Sequence, residues 1–216
     1  MISATFTILL GGRLAVSDRL TAMLSGSRVI AADSGMRHAA ELSLTPELWV
    51  GDFDSTSEAL AGQWPSVPRQ PYPAQKAETD GEIAVGEAIT RGADRLILVG
   101  ALGGERSDHA LIHFLQALRL AQAGHANMLT SGDEEAYPLL PGGMVLDLPP
   151  GSLFSVLGFS PLEGLSIENA RYPLDGFSLP FGSSRTISNV ANGPVSLSLK
   201  SGAAMVLARP FDLTGA

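Results

Sequence analysis

The chain has 216 residues, 45% apolar and 17% charged, with a net charge of -8. That composition excludes a disordered segment and supports a real core in one large or two small domains. The acidic balance argues against extended nucleic acid as a partner, and the lack of cysteine excludes disulfides, thiolate zinc sites and cysteine nucleophiles.

Met1 to Leu10 is apolar, lacks a basic flank and runs into Gly11-Gly12. It reads as a first strand rather than a signal peptide. Glycines after a first strand let backbone N–H groups approach a phosphate, although a plain tight turn is the simpler reading. Ser17 is placed to cap a helix through Leu24, stopped near Gly26. Arg28–Ala32 forms a second strand ending in Asp33-Ser34-Gly35, with a helix through Leu42 behind it.

The third strand, Glu47–Val50, delivers Gly51-Asp52-Phe53-Asp54-Ser55-Thr56. Two carboxylates two residues apart at a strand end share one side of an extended segment, with Phe53 facing the core. They repel unless a cation lies between them, and Mg2+ suits such an oxygen set. An Asp-rich turn capping the helix that starts near Ser57 is the competing structural reading. Acids at the ends of consecutive strands mark the edge where open α/β sheets bind ligands.

A proline-rich loop, with a short strand near Arg69–Tyr72, leads to Lys76-Ala77-Glu78-Thr79-Asp80-Gly81-Glu82. Thr79 and Glu82 have capping-box spacing, so a helix starts at Asp80, where its dipole favours an anion. Asp80 is a further metal-ligand candidate. Lys76 stands before Lys200 as the sole lysine and suits a phosphate, though a solvated loop lysine is equally compatible.

Arg95–Val99 is a buried strand followed by a glycine turn ending in Glu105-Arg106-Ser107-Asp108-His109. Leu111, Phe114, Leu115 and Leu118 form a stripe predicting a core-facing helix. His109 and His113 have a zinc-compatible spacing but no third ligand nearby. Asn127–Thr130 closes the first half.

Beyond Gly132 short apolar runs alternate with Gly, Pro, Ser and Asn: Met144–Leu148, Leu153–Leu157, Leu165–Ile167, Thr186–Ser188, Val195–Leu199 and Ala203–Ala208. They predict antiparallel β-structure, with turns at Pro149-Pro150-Gly151 and Asn192-Gly193-Pro194. The expected fold class is an α/β N-terminal domain with a mostly parallel sheet (1–131) and a C-terminal antiparallel β-sandwich or barrel-like domain (132–216). No apolar run is long enough for a membrane helix, so a soluble cytoplasmic protein without a membrane partner is expected.

Asp33-Ser34-Gly35, Gly51-Asp52-Phe53-Asp54-Ser55, Lys76-x-x-Thr79-Asp80, Arg106-x-Asp108-His109 and Ile187-Ser188-Asn189, in this order, resemble the thiamine pyrophosphokinase family. The resemblance spans nearly the whole chain. It implies transfer of a diphosphate from ATP to the hydroxyl of thiamine, giving thiamine diphosphate and AMP, with Mg2+ as cofactor. It also implies a homodimer with each active site between the α/β domain of one chain and the β-domain of the other.

Carried over residue by residue, Asp52, Asp54 and Asp80 match the magnesium and phosphate-site acids, and Asp33 with Gly35 matches the turn after the second strand. Lys76, Thr79 and Arg106 match nucleotide-phosphate contacts. Asp108 and His109 complete the Arg-x-Asp-His motif, and Ser188 and Asn189 match the segment near thiamine. Ser34 for a glycine, Glu78 and Ala77 in the lysine motif, Glu105 before Arg106 and Val190 after Asn189 depart from the family's usual pattern. Two other classes stay open: a haloacid dehalogenase-like phosphatase with Asp52 as covalent nucleophile, and a non-catalytic nucleotide- or vitamin-binding protein.

Overall fold

A computed structural model describes residues 4–54, 56–75, 77–104 and 106–214. Chain contacts divide into two compact units: Met1–Ala110 with His125–Gly132, and Leu111–Gly124 with Asp133–Ala216.

The first unit is built on a parallel sheet of six strands: β1 (Thr5–Leu9), β2 (Arg28–Ala32), β3 (Leu48–Gly51), β4 (Arg69–Pro71), β5 (Arg95–Val99) and β6 (Ala126–Thr130). Their spatial order is β4-β3-β2-β1-β5-β6, and every neighbouring pair is parallel. The order reverses between β1 and β5, so the carboxyl ends of those strands open a crevice of the kind that receives ligands in doubly wound sheets. Phe6, Ile8, Leu9, Ile30, Trp49, Leu96 and Leu98 are fully buried. Continuous apolar strands of this type require cover on both faces, and each such side chain stabilises by roughly 1.5–3 kcal/mol.

The helices start where the capping chemistry places them. Ser17 caps α1 (Asp18–Leu24) through Leu20 N, and Ser57 caps α3 (Glu58–Gln63) through Leu60 N. Thr79 and Glu82 form a complete capping box on α4 (Asp80–Thr90), which packs over β1, β2 and β3. After β2 the helix expected through Leu42 is instead a 3-10 turn, Asp33–Arg37, followed by the single-turn α2, His38–Glu41.

The helix α5 (Ser107–Gln122) corrects one sequence expectation. Leu111 and Leu115 are about half exposed, and the buried face is Gln116, Ala117, Leu118 and Leu120. The stripe had the right period but the wrong centre. Residues Leu111–Gly124 belong with the second unit, where the Phe114 ring meets Phe159 edge-on at 6.3 Å.

The second unit is antiparallel throughout. Its strands are β7 (Glu135–Leu139), β8 (Gly142–Leu146), β9 (Leu153–Gly158), β10 (Leu162–Ala170), β11 (Leu174–Leu179), β12 (Asn189–Leu199) and β13 (Ala204–Arg209). The long β12 pairs with β9 at its start and with β10 and β8 further along, while β13 lies between β7 and β9. One apolar core, including Leu139, Phe154, Val156, Leu165, Ile167, Val195, Leu197 and Val206, joins the strands.

Thr186–Ser188, expected as a strand, is a turn, and the strand begins at Asn189. Asn192-Gly193-Pro194, which the composition marked as a turn, lies inside β12 but interrupts its pairing with β10. The extra residues bulge out of β12, five steps there facing two on β10, and Asn169 of β10, at φ 58°, donates its Nδ2 to the Pro194 carbonyl at 2.7 Å across the bulge.

Candidate active site

The carboxyl edge of the parallel sheet is tied together by backbone-to-backbone contact. Gly12 N–H donates to the Gly100 carbonyl at 3.1 Å, and a Cβ on Gly12 would come within 2.2 Å of that oxygen. Glycine is thus required there for close packing of the turns after β1 and β5. The Gly12 N–H is thereby used within the fold and is not open to a phosphate. The Gly11 and Gly12 carbonyls are also engaged. Arg37 donates to Gly11 O and, at 3.1 Å, to Gly12 O, and the buried His38 contacts Gly12 O through Nε2 at 2.9 Å. A carbonyl only accepts, so Nε2 carries the proton. Burial lowers the His38 pKa.

Asp33 begins the turn after β2 at φ 41°, and its carbonyl accepts the Trp49 indole N–H at 2.8 Å. Gly51, ending the adjacent β3, fits so closely that a Cβ on it would lie 3.2 Å from Asp33 Cα. Asp33 and the Asp52–Asp54 turn are therefore neighbours by sheet pairing. The acid pair itself departs from the extended geometry that its spacing suggested. Phe53 is left-handed at φ 61°, and Asp54 N–H donates to Asp52 Oδ1 at 3.2 Å, so the segment is an Asx turn. Phe53 still anchors it, meeting Trp49 edge-on at 5.2 Å. Asp52 is partly buried and Asp54 exposed.

Asp80 is the first residue of α4 and partly buried. Next to it, Gly81 abuts Leu10 Cδ2, placing the start of this helix against the end of β1. The Thr79 hydroxyl accepts Glu82 N–H at 3.2 Å, so its main contact is the helix cap. Lys76 and Ser55 lie outside the described residues. Arg106 and Asp108 are exposed and joined by two hydrogen bonds, 2.9 and 2.7 Å; this pairing holds the Asp108 carboxyl well below the usual carboxylate range. His109 is exposed one residue on.

In the second unit Ser188 is left-handed at φ 59°, and its N–H donates to Ser155 Oγ at 3.0 Å. Asn189 is buried. Its Oδ1 accepts the Tyr172 and Val190 N–H groups, and its Nδ2 donates to the Tyr172 carbonyl. That two-way clasp fixes Tyr172, whose side chain is mostly exposed. Sequence reasoning passed over Tyr172. Its one available signal, an aromatic beside a proline between two strands, is too common to single out.

Among the described residues no three acids or histidines stand close enough to form a protein-only metal cluster. The donor set nevertheless fits Mg2+: oxygen ligands from one turn, Asp52 and Asp54, are what this ion takes when substrate phosphates and water complete its shell.

An acid-lined edge on a parallel sheet, joined in sequence to an antiparallel β unit, defines an α/β protein whose ligand edge lies at the carboxyl ends of its strands. Residues 21–128 match the family model for the thiamin pyrophosphokinase catalytic domain, and residues 145–204 match the model for the thiamin pyrophosphokinase vitamin B1 binding domain. The chain belongs to the thiamin pyrophosphokinase family, and its function is that of an ATP-dependent thiamine diphosphokinase.

Solved structures agree in fold. A thiamine pyrophosphokinase from Bacillus subtilis is 22% identical with a TM-score of 0.85, covering 96% of this chain and 99% of that one. One from Geobacillus thermodenitrificans is 24% identical with a TM-score of 0.83, covering 98% and 100%. The Candida albicans protein is 13% identical with a TM-score of 0.79, covering 96% and 89%. No curated protein matches the sequence.

Proposed function

We propose that the acid-bearing turns after β2 and β3, with the start of α4, form the Mg2+ and ATP site of this diphosphokinase. The observation that carries the reading is the contact of Gly51 with Asp33, which seats the Asp52–Asp54 turn against a second acidic turn at the same sheet edge. Asp52 and Asp54 would hold the ion; Asp80 and Asp33, which do not close a three-acid cluster with them, would act on it through water or the substrate phosphates. When bound, Mg2+ would neutralise charge on the polyphosphate. Lys76 and Arg106 supply cationic donors for the remaining phosphate oxygens, and Arg106 does so with a guanidinium held in place by Asp108.

In the reaction, the thiamine hydroxyl oxygen forms a bond to the β-phosphorus of ATP. The bond from that phosphorus to the bridging oxygen of the α-phosphate breaks, AMP leaves, and the hydroxyl proton is released to solvent. Alignment and charge neutralisation supply most of the catalysis in such a transfer. The β-rich part, 132–216, is read as a sandwich providing the thiamine and dimer contacts, and 1–131 as the catalytic part. Ser188 presents its hydroxyl from a strained turn, while Asn189 acts by holding Tyr172. The protein is proposed to be a cytoplasmic homodimer on the family's pattern; among the described residues no helix is long and apolar enough to cross a membrane.

Product analysis tests this reading. Incubation with thiamine and Mg-ATP is expected to give thiamine diphosphate and AMP in equal amounts. A trapped aspartyl-phosphate at Asp52 would instead favour the phosphatase, and thiamine binding without product would favour a non-catalytic protein.

A further inference from the structure

Trp49 lies in the middle of β3 with none of its surface exposed, paired across the sheet to Ala31 and Arg69. Its position in an apolar strand accounts for burial, but not for its contacts. The indole N–H reaches out of the strand to the Asp33 carbonyl at 2.8 Å. The indole also takes the edge of the Phe53 ring, with the two planes at 83°. The Arg69 guanidinium stands 5.0 Å from the ring centre, a cation–π distance.

The two residues contacted near the acids share a backbone property. Asp33 has φ 41° and Phe53 has φ 61°, and neither is glycine. Such conformations are costly for residues with a Cβ and persist only where their surroundings hold them. Phe53 is the link between Asp52 and Asp54, so fixing its ring fixes the turn that carries both carboxylates. The carbonyl held by the indole belongs to Asp33 itself. One rigid bicyclic side chain therefore touches both acidic turns at their strained points. An aliphatic residue would fill the same strand position without a donor for Asp33 or a ring for Phe53.

We infer that Trp49 is a positioning residue for the metal–nucleotide edge, holding the Asp33 turn and the Asp52–Asp54 turn in one fixed relation. This rests on the reading of that edge as the Mg-ATP site.

The test replaces Trp49 in the full chain with 3-benzothienyl-alanine, which keeps the bicyclic shape but has sulfur for N–H, in a Trp64→Phe background. Trp49→Phe is made in parallel. Binding of α,β-methylene-ATP with Mg2+ is measured by calorimetry, and turnover is titrated with Mg2+. Loss of the anchoring bond is expected to weaken binding by about tenfold, with a parallel rise in the Mg2+ concentration for half-maximal turnover and a smaller fall in kcat.

Unchanged binding and Mg2+ requirement in both variants, with Asp52→Asn abolishing binding, would overturn the role of Trp49 alone. Unchanged binding in Asp52→Asn as well would overturn the site reading and this inference together. Should neither Trp49 variant fold, the parent chain still decides. Its two tryptophans give two indole resonances, and Trp64→Phe assigns them. The Trp49 resonance is expected to shift on addition of Mg2+ and α,β-methylene-ATP; a stationary resonance refutes the inference.

Discussion

Arg106 and Asp108, two residues apart, meet as a fork on a fork: Nε donates to Oδ1 and one terminal nitrogen to Oδ2. Both side chains are about two-thirds exposed, so water screens the pair and its value is orientation rather than stability. The pairing orders the long Arg106 side chain in advance, so a phosphate that meets its remaining N–H groups, as proposed, would not bear that cost. Asp108→Ala is therefore expected to raise the KM for ATP by about tenfold with a smaller change in kcat. Arg106→Lys, which keeps the charge but loses the fork, should do the same. The hydrogen bonds from Arg106 keep Asp108 ionised well below the normal range, so its carboxyl should remain charged at about pH 3 in a carbon-detected NMR titration.

The Asx turn makes Asp52 and Asp54 unequal. Asp52 is partly buried and accepts a backbone N–H, whereas Asp54 is exposed. Both substitutions to Asn are expected to lower turnover by on the order of 10²-fold, as when a preorganised charge is removed from a phosphoryl-transfer site. Asp52→Asn should also loosen the turn, because an amide oxygen is a weaker acceptor than a carboxylate. Rates at saturating ATP across a Mg2+ titration, on variants with parent circular dichroism, check this. Chelation of divalent ions should abolish turnover of the parent, and Mg2+ should restore it.

His38 gives a pH signature. Burial is the largest influence and lowers its pKa, with the Arg37 charge adding to that, against the Gly12 carbonyl and Glu41. A histidine with a depressed folded pKa contributes stability that is present in full above the unfolded value, near 6.5. That contribution is lost as pH falls through the folded value. Urea midpoints should therefore decline below about pH 6.5. His38→Gln, which retains a donor for Gly12, should flatten that slope and lower stability at neutral pH by roughly 1 kcal/mol.

Much of the sheet was legible because parallel strands buried on both faces leave continuous apolar runs closed by Gly or Asp. Arg95–Val99 and Arg28–Ala32 are examples. Caps at Ser17 and Thr79 were legible because a hydroxyl three residues before a free N–H is a local chemical fact. The misses share a cause outside the local chain. Spacing placed Asp52 and Asp54 on one side, but Phe53 turns left-handed to meet Trp49. Asn192-Gly193-Pro194 had turn composition, and pairing on either side of it made it a bulge within β12 rather than a chain reversal. Asn189, which the resemblance put in the segment near thiamine, makes three side-chain hydrogen bonds to Tyr172 and Val190, a local clasp that spacing alone does not announce.

That clasp makes Asn189 testable apart from the chemistry. Asn189→Leu would leave buried groups of Tyr172 and Val190 without partners, at about 1–3 kcal/mol for each group that water does not reach. Asn189→Asp keeps the acceptor and loses the donor. Denaturation should show a large loss for Leu and a smaller one for Asp. If Asn189 acts by placing Tyr172 and Ser188, both variants raise the KM for thiamine while the KM for ATP stays near the parent value.

Thr79 separates a cap from a nucleotide contact. Its hydroxyl accepts Glu82 N–H at 3.2 Å, and Glu82 returns a bond to the Thr79 N–H at 3.1 Å. Thr79→Ala should lower stability by about 1 kcal/mol, and Thr79→Ser should restore most of it, because the capping hydroxyl is back. The kinetic consequence follows from position: the cap sets where α4 begins, and Asp80 is its first residue. A role confined to capping predicts that Glu82→Ala, which breaks the other half of the box, gives the same rise in the KM for ATP as Thr79→Ala. A direct hydroxyl–phosphate contact predicts a larger kinetic effect from Thr79→Ala at equal loss of stability. Paired denaturation and steady-state measurements on the three variants distinguish the two, and the observed box geometry favours equal effects.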